Sequence, residues 1–460
     1  MNEKRLIHLR DGQINHDAKY VMYWMQQSQR VHYNHALNHA ISLANTYKLP
    51  LLVYFGLVTD YPDANERHYV FMLEGLKEVR DLLTKLHINF VLRIEDGSKP
   101  MKEYLKQSQA LIMDYGYVRY QRKWRKSVLD MIEEEFPDVY VDIVDTDLIV
   151  PVRVASDKAE YGAFTIRPKL TKLYQEFRDF KKLNRLKNTE HMFLRSDYDL
   201  IDPEGFCAGI NIDHSVKKST YYEGGYLAAN KLFLDFTENK ASEYVNSNDP
   251  SKSLTSKMSM YLHFGQISSL ELLDRMFMLH EQGQIDDASF DAYIEQLLVR
   301  RELAFNFVTY QKGYDDFNHM TEDWAYQSMR EHEEDKRVRL YTKEQLELAQ
   351  THDLYWNAAM KEMFYTGYMH NYMRMYWAKK IIEWMPNYQM AYETILYLNN
   401  KYFIDGRDPN SYAGIAWCFG KHDRAWTDRP IFGKLRYMND KGLERKFDIM
   451  SYVNQMDLLK

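Results

Sequence analysis

The sequence predicts an α/β domain with a parallel, Rossmann-like sheet, followed by an all-α domain. Three observations predict this. Short β-branched or aromatic runs alternate with amphipathic helical stretches through the first third of the chain. A mixed segment rich in turn signals follows it. From about residue 220 the pattern is helical almost to the end, in long stretches rich in Leu, Met, Tyr and Trp.

The strand-like runs are Tyr20–Met25, Leu51–Leu57, Ile88–Ile94, Ala110–Met113 and Val139–Val144. Helical stretches lie near 30–47, 66–86, 100–108 and 120–135. That alternation implies βαβ units and a parallel sheet covered on both faces. Ligands of such sheets sit beyond the strand C-termini. Asp60, Asp96 and the Asp114-Tyr115-Gly116 turn fall in or near those loops. No G-x-G-x-x-G follows a strand and no P-loop occurs, so neither nucleotide site is expected in this half. The domain reading is 1–150 for the α/β unit, 151–215 for an inter-domain connection, and 216–460 for the helical unit. Pro151, Gly162, Pro168, Pro203 and Gly205 punctuate the connection.

The chain has 460 residues, 45% hydrophobic and 27% charged, which excludes disordered and low-complexity classes. Its aromatic content is high, with 37 Tyr, 22 Phe and 8 Trp. Most of that is read as core, with stacking surfaces for a planar cofactor or bases as the sharper alternative. A net charge of −6 opposes a non-specific nucleic-acid coat but leaves room for a local basic groove. Cys207 and Cys418 are too few for a disulfide framework or a four-cysteine zinc site, and no metal is expected. No apolar run is long enough to cross a membrane. The polar start MNEKRLIHLRDGQINHD has no signal-peptide core, so a reducing cytoplasm is expected, with nucleoid association if prokaryotic; separately, a monomer is expected.

Several constellations carry candidate chemistry. His32, His35 and His39 share a helix face but lack a Glu at metalloprotease spacing, so an exposed polar face is expected. Tyr120–Lys126 (YQRKWRK) interleaves cations and aromatics; it reads as an exposed helix, with an anion-binding patch as the alternative. The loop Asn246–Ser259 leads into a helical stretch. Thr255, Ser256, Lys257 and Ser259 there suit a phosphate at a helix start, although a plain capped helix uses the same residues. In residues 353–384, Trp377 and Trp384 are about 10 Å apart along one helix face, and Trp356 lies on the preceding helix. Such tryptophans are usually core, and can also be stepping stones for electrons from a buried redox cofactor. Arg374, one turn before Trp377, needs an anionic partner if buried, and Asp405 or Asp408 can supply it. The run from His422 to Lys446 holds Arg424, Arg429, Lys434 and Arg436, with Trp417 and Trp426 nearby. It is either a solvated face or a surface for phosphates and a stacked base.

Met369–Lys380 (MHNYMRMYWAKK), Asp405–Asn410 (DGRDPN), Gly414–Arg424 (GIAWCFGKHDR) and Arg429–Met438 (RPIFGKLRYM) closely resemble class II cyclobutane pyrimidine dimer photolyases. So do TSKMSMYLHFGQIS, VRRELAFNF, THDLYWNA and YVMYWMQQSQRV, in order along nearly the whole chain. The resemblance implies an α/β antenna domain and a helical domain that binds FAD and DNA and repairs dimers under light. The reduced, anionic flavin is the implied electron donor, and the dimer is flipped out of the duplex.

Carried over residue by residue, the resemblance gives Tyr244 and the segment Thr255, Ser256, Lys257, Met258 and Ser259 to the FAD phosphates. Asn371, Arg374, Asp405 and Asp408 are assigned to the isoalloxazine and its linking chain, and Asn399 to the position opposite flavin N5. Trp377, Trp356 and Trp384 match the photoreduction chain, in order from the flavin outward. Glu302 matches the acid that hydrogen-bonds the dimer, and Met375 and Trp417 match the walls of the lesion pocket. Met260 departs from the proline frequent at its place. An antenna chromophore such as a deazaflavin is implied, but no residues decide it.

Two alternatives are weighed against this reading. A (6-4) photolyase needs a His pair flanking the Arg, and this chain has Asn371 and Met375 there. A cryptochrome-like photoreceptor uses the same flavin and tryptophans without repair; Glu302 and Trp417 favour repair.

Overall fold

Strands β1 (Leu6–Arg10), β2 (Tyr20–Trp24), β3 (Leu51–Val58), β4 (Asn89–Glu95), β5 (Ser108–Asp114) and β6 (Tyr140–Val144) form one sheet, ordered β1-β6-β5-β2-β3-β4. The computed structural model describes residues 1–95, 99–178, 180 and 182–460; Asp96 lies outside the described residues. Every residue of β2 and β5 is buried, as expected of central strands covered on both faces. All pairs are parallel except β1–β6, which is antiparallel with a register shift. The sequence reading missed β1. It is a short edge strand whose residues are only partly buried, so it lacks a continuous apolar run.

Alternate residues of β2 feed two layers. Val21 and Tyr23 pack with the helices His35–Tyr47 and Glu66–Lys85. Tyr20, Met22 and Trp24 pack with Met101, Tyr104, Val128 and Ile132 from the helices Lys99–Leu105 and Arg119–Glu135. The histidine face is corrected here. The helix begins at His35, so His32 precedes it; His35 is buried, and His39 bonds the buried Asp142 at 2.7 Å.

The connection braces the open edge of β4. Ser196 Oγ donates to the Leu92 carbonyl at 3.0 Å, and the Ile94 N–H donates to Asp197 at 2.9 Å. The remainder is helical, around a core that includes Trp356, Trp377 and Trp384. A π-helical stretch, Glu295–Arg300, runs into the helix Arg301–Tyr310. Nothing in the sequence signalled it.

One buried arginine fastens the two parts together. Arg67, at the start of the Glu66–Lys85 helix, donates to the Tyr402 and Phe364 carbonyls at 2.9 and 2.7 Å. His68 Nε2 reaches the Phe403 carbonyl at 3.0 Å, and Asn65 donates to Lys401 at 2.7 Å. These bonds hold the segment before Asp405 against the sheet layer. Among the described residues, no helix is long and apolar enough to cross a membrane.

Candidate functional site

The site is built where the loop 244–259 meets the helix Asn371–Trp384. His370, the N-cap of that helix, holds the loop by donating from Nε2 to the Ser247 carbonyl at 2.8 Å. Burial pushes the His370 pKa down to about 4, so the ring is neutral at physiological pH. A second tie joins Thr255 Oγ1 and Tyr368 OH at 2.9 Å. Tyr244 packs edge-on against Tyr293 at 5.1 Å, beside Ser256.

Lys257 sits between those ties. It is half-buried, with its ammonium 5.6 Å from the Tyr222 and Tyr368 ring centroids. It makes no ion pair with any described residue, and burial depresses its pKa. Its φ of +57° is in the left-handed region, an unusual place for a lysine. A desolvated cation, unpaired and beside hydroxyls, is a donor set suited to an anionic ligand. Met258 is buried in the core and Ser259 is exposed at the next helix start.

Arg374 forms a bidentate pair with Asp405, at 3.0 and 3.1 Å. Its guanidinium lies 3.9 Å from the Phe403 ring centroid, and its Nε donates to the Met369 carbonyl. Asn371 and Met375 lie on the same helix, exposed and half-buried respectively. Asp408 is not brought to Arg374. It caps the Pro409–Cys418 helix and pairs with His263 at 3.1 Å. Asn399 is buried and donates to Asn400 Oδ1 at 3.0 Å.

The three tryptophans share one core. Phe403 neighbours both Trp377, at 6.3 Å between ring centroids, and the Arg374 guanidinium. Trp356 Nε1 donates to the Trp377 carbonyl at 3.0 Å, and the Trp356 and Trp384 rings meet edge-on at 5.6 Å. Trp377 Nε1 is buried with no hydrogen-bond partner among the described residues. Trp384 is covered by Tyr341 and His352.

Glu302 is buried, with Oε1 accepting from the Ile149 and Val150 N–H groups at 2.7 and 3.2 Å. Burial outweighs the nearby Arg301 and pushes its pKa up to about 8. At neutral pH the carboxyl therefore holds a proton, with Oε1 committed to the main chain and Oε2 3.3 Å from the Val150 N–H.

The C-terminal segment carries a cation–aromatic ladder. Arg436 lies 5.0 Å from the Trp417 ring and 4.3 Å from Trp426, and Arg424 lies 4.9 Å from Trp426 on the exposed side. Asp423 accepts from Arg436 at 2.9 and 3.2 Å. Arg424, Arg429 and Lys434 are exposed.

A cleft opens at the C-terminal ends of the strands, where the two parts meet. Gln27, Tyr61, Glu95, Trp124, His263 and Asp408 line it. Trp124 thus takes the YQRKWRK helix into the wall of the cleft rather than onto an open surface. Sequence reasoning missed His263 and Arg67, whose partners lie far away along the chain.

A family model described as DNA photolyase matches residues 21–188. A deoxyribodipyrimidine photo-lyase of Methanothermobacter thermautotrophicus is 42% identical, covering 99% of this chain and 98% of its own. One from Potorous tridactylus is 36% identical over 96% of this chain and 82% of its own. A Synechocystis cryptochrome structure shares the fold, with a TM-score of 0.74 over 96% of this chain and 89% of its own, at 13% identity.

Proposed function

The chain belongs to the DNA photolyase family of enzymes, and from that premise we propose that it is a class II photolyase that splits cyclobutane pyrimidine dimers in DNA under light. The observation that carries this reading is the 42% identity, end to end, with a relative named for that activity. The class rests on the motifs around Asn371, Arg374 and Met375.

The residues present fit FAD. The unpaired Lys257 with Thr255, Ser256 and Ser259 would hold the diphosphate, with Tyr244 against the same segment. Arg374, Asp405 and Asn399 would hold the ring system. When bound, FAD supplies the light-driven electron transfer. The chain's own part is to fix the Arg374–Asp405 pair, exclude water with Phe403 and the tryptophans, and offer a path for electrons from near the surface. The cleft at the strand ends is the candidate place for an antenna chromophore such as a deazaflavin.

On the lesion side, Glu302 anchors one oxygen on the main chain and leaves its proton to donate to a dimer carbonyl. Met375 and Trp417 would flank the dimer. Glu302→Gln keeps the acceptor for Ile149 and Val150 but loses the acid. Dimers repaired per absorbed photon should fall several-fold with FAD retained; an unchanged yield removes Glu302 from the chemistry. Glu302→Ala is the poorer test, because stranding the two N–H groups costs about 1–3 kcal/mol each.

Arg424, Arg429, Lys434 and Arg436 would contact the DNA backbone. Lys434→Ala should lower the salt dependence of DNA binding by about one phosphate contact. Arg436→Ala should do the same and also lose its stack with Trp417 and Trp426. A salt slope unmoved by both variants would place the DNA elsewhere. The function itself is tested by illuminating the protein with ultraviolet-irradiated oligothymidylate. Dimers should revert in blue light and persist in the dark; equal persistence in both would refute the reading.

A further inference from the structure

The ladder has a buried foot. Lys379 is on the same helix as Trp377 and is 0% exposed. Its ammonium lies 5.8 Å from the Trp417 ring centroid and donates to the Cys418 carbonyl at 2.5 Å. It makes no ion pair with any described residue. From inside to outside the order is therefore Lys379, Trp417, Arg436, Trp426, Arg424, cation and aromatic alternating. The single carboxylate along it, Asp423, is already bonded to both Arg436 and Trp426.

A buried, unpaired lysine is costly, and a helix C-terminus can be closed without one. Its position gives it a use. It ties the last turn of the Pro409–Cys418 helix to the Trp helix, and it attracts the indole of the first residue of the ladder. We propose that Lys379 is a positioning residue for lesion recognition, whose charge fixes the Trp417 ring in the attitude that discriminates a pyrimidine dimer from an intact pair. This rests on the reading of Trp417 as a lesion contact.

The charge can be switched. Burial lowers the Lys379 pKa to about 8, and the groups whose charges reach it are Cys418, Asp423 and Arg436. The Cys418 thiol is pushed up to about 11 and the Asp423 carboxyl is held below its usual range, so neither titrates in that window. Glu302 also titrates near 8, from the helix packed on Pro409–Cys418, and must be separated by mutation.

The test is the preference of the FAD-loaded protein for dimer-containing over undamaged duplex, measured in the dark by competition, one pH unit below and one above this value. The ratio cancels backbone binding. Wild type should lose about five-fold of its preference across the step, as the ammonium loses its proton. Lys379→Arg should keep its preference at the higher pH, and Lys379→Met should be low and flat at both. A lysine that only closes the helix would alter the melting temperature and leave the ratio alone. If Lys379→Arg follows the wild-type fall, or Lys379→Met keeps the wild-type ratio, the proposal is wrong. If Lys379→Met fails to fold, wild type against Lys379→Arg decides. Trp417→Ala guards the premise: an intact preference there refutes the lesion contact, whereas a lost preference with a normal Lys379→Met refutes Lys379 alone.

Discussion

Replacing Trp377 with phenylalanine should slow light-driven reduction of bound, oxidised FAD by an order of magnitude, while repair by chemically pre-reduced protein stays close to wild type. The geometry makes this substitution clean. Trp377 Nε1 has no hydrogen-bond partner among the described residues, so phenylalanine gives up no bond to them. The loss is a partial cavity, about 1–3 kcal/mol in a well-packed core. What disappears is the redox-active indole beside Phe403, while the backbone carbonyl that accepts from Trp356 stays. Trp356→Phe should act alike on photoreduction, with the added loss of its bond to the Trp377 carbonyl. The check is the rate of flavin bleaching under blue light with an external reductant. An unchanged rate in both variants would take these residues out of the path.

The second large effect is expected at the Arg374–Asp405 pair. Asp405 is almost fully buried and Arg374 about three-quarters buried, with side-chain exposures of 8% and 23%. Asp405→Asn leaves the guanidinium without its counter-charge. Breaking a fully buried pair costs about 3–5 kcal/mol; discounted for the exposed edge of Arg374, about 2–3 kcal/mol is expected. In a chain of this size that lowers the melting temperature by about 2–3 °C. FAD retention through gel filtration should fall with it. Arg374→Lys should also weaken retention, because an ammonium cannot make the planar two-point bond. A variant with wild-type stability and full flavin content would show the pair to be dispensable.

Much of the fold was legible because its strands are continuous apolar runs and its helices amphipathic. The misses have physical causes. Strand β1 is half-exposed at an edge, and the brace of β4 by Ser196 and Asp197 uses polar groups without periodicity. The Arg374–Asp405 pair was readable as a need, since a buried arginine wants an anion. The choice of Asp405 over Asp408 was not, because it depends on His263, far off in sequence. Nothing in the sequence marked Lys379 and Lys380 as buried, yet both are, one against Trp417 and one paired with Glu383. Nor does the net charge of −6 describe the molecule locally. The ladder from Lys379 to Arg424 carries three cations against one carboxylate.

The central claim, light-driven repair of cyclobutane dimers, is tested most directly with two oligonucleotides, one carrying a single cyclobutane thymine dimer and one a (6-4) photoproduct. Each is illuminated with the FAD-loaded, reduced protein, and restored thymines are counted by chromatography against dark controls. The expected result is restoration of the cyclobutane substrate in the light only, with the (6-4) substrate unchanged. No restoration in the light, or restoration of the (6-4) substrate, would contradict it.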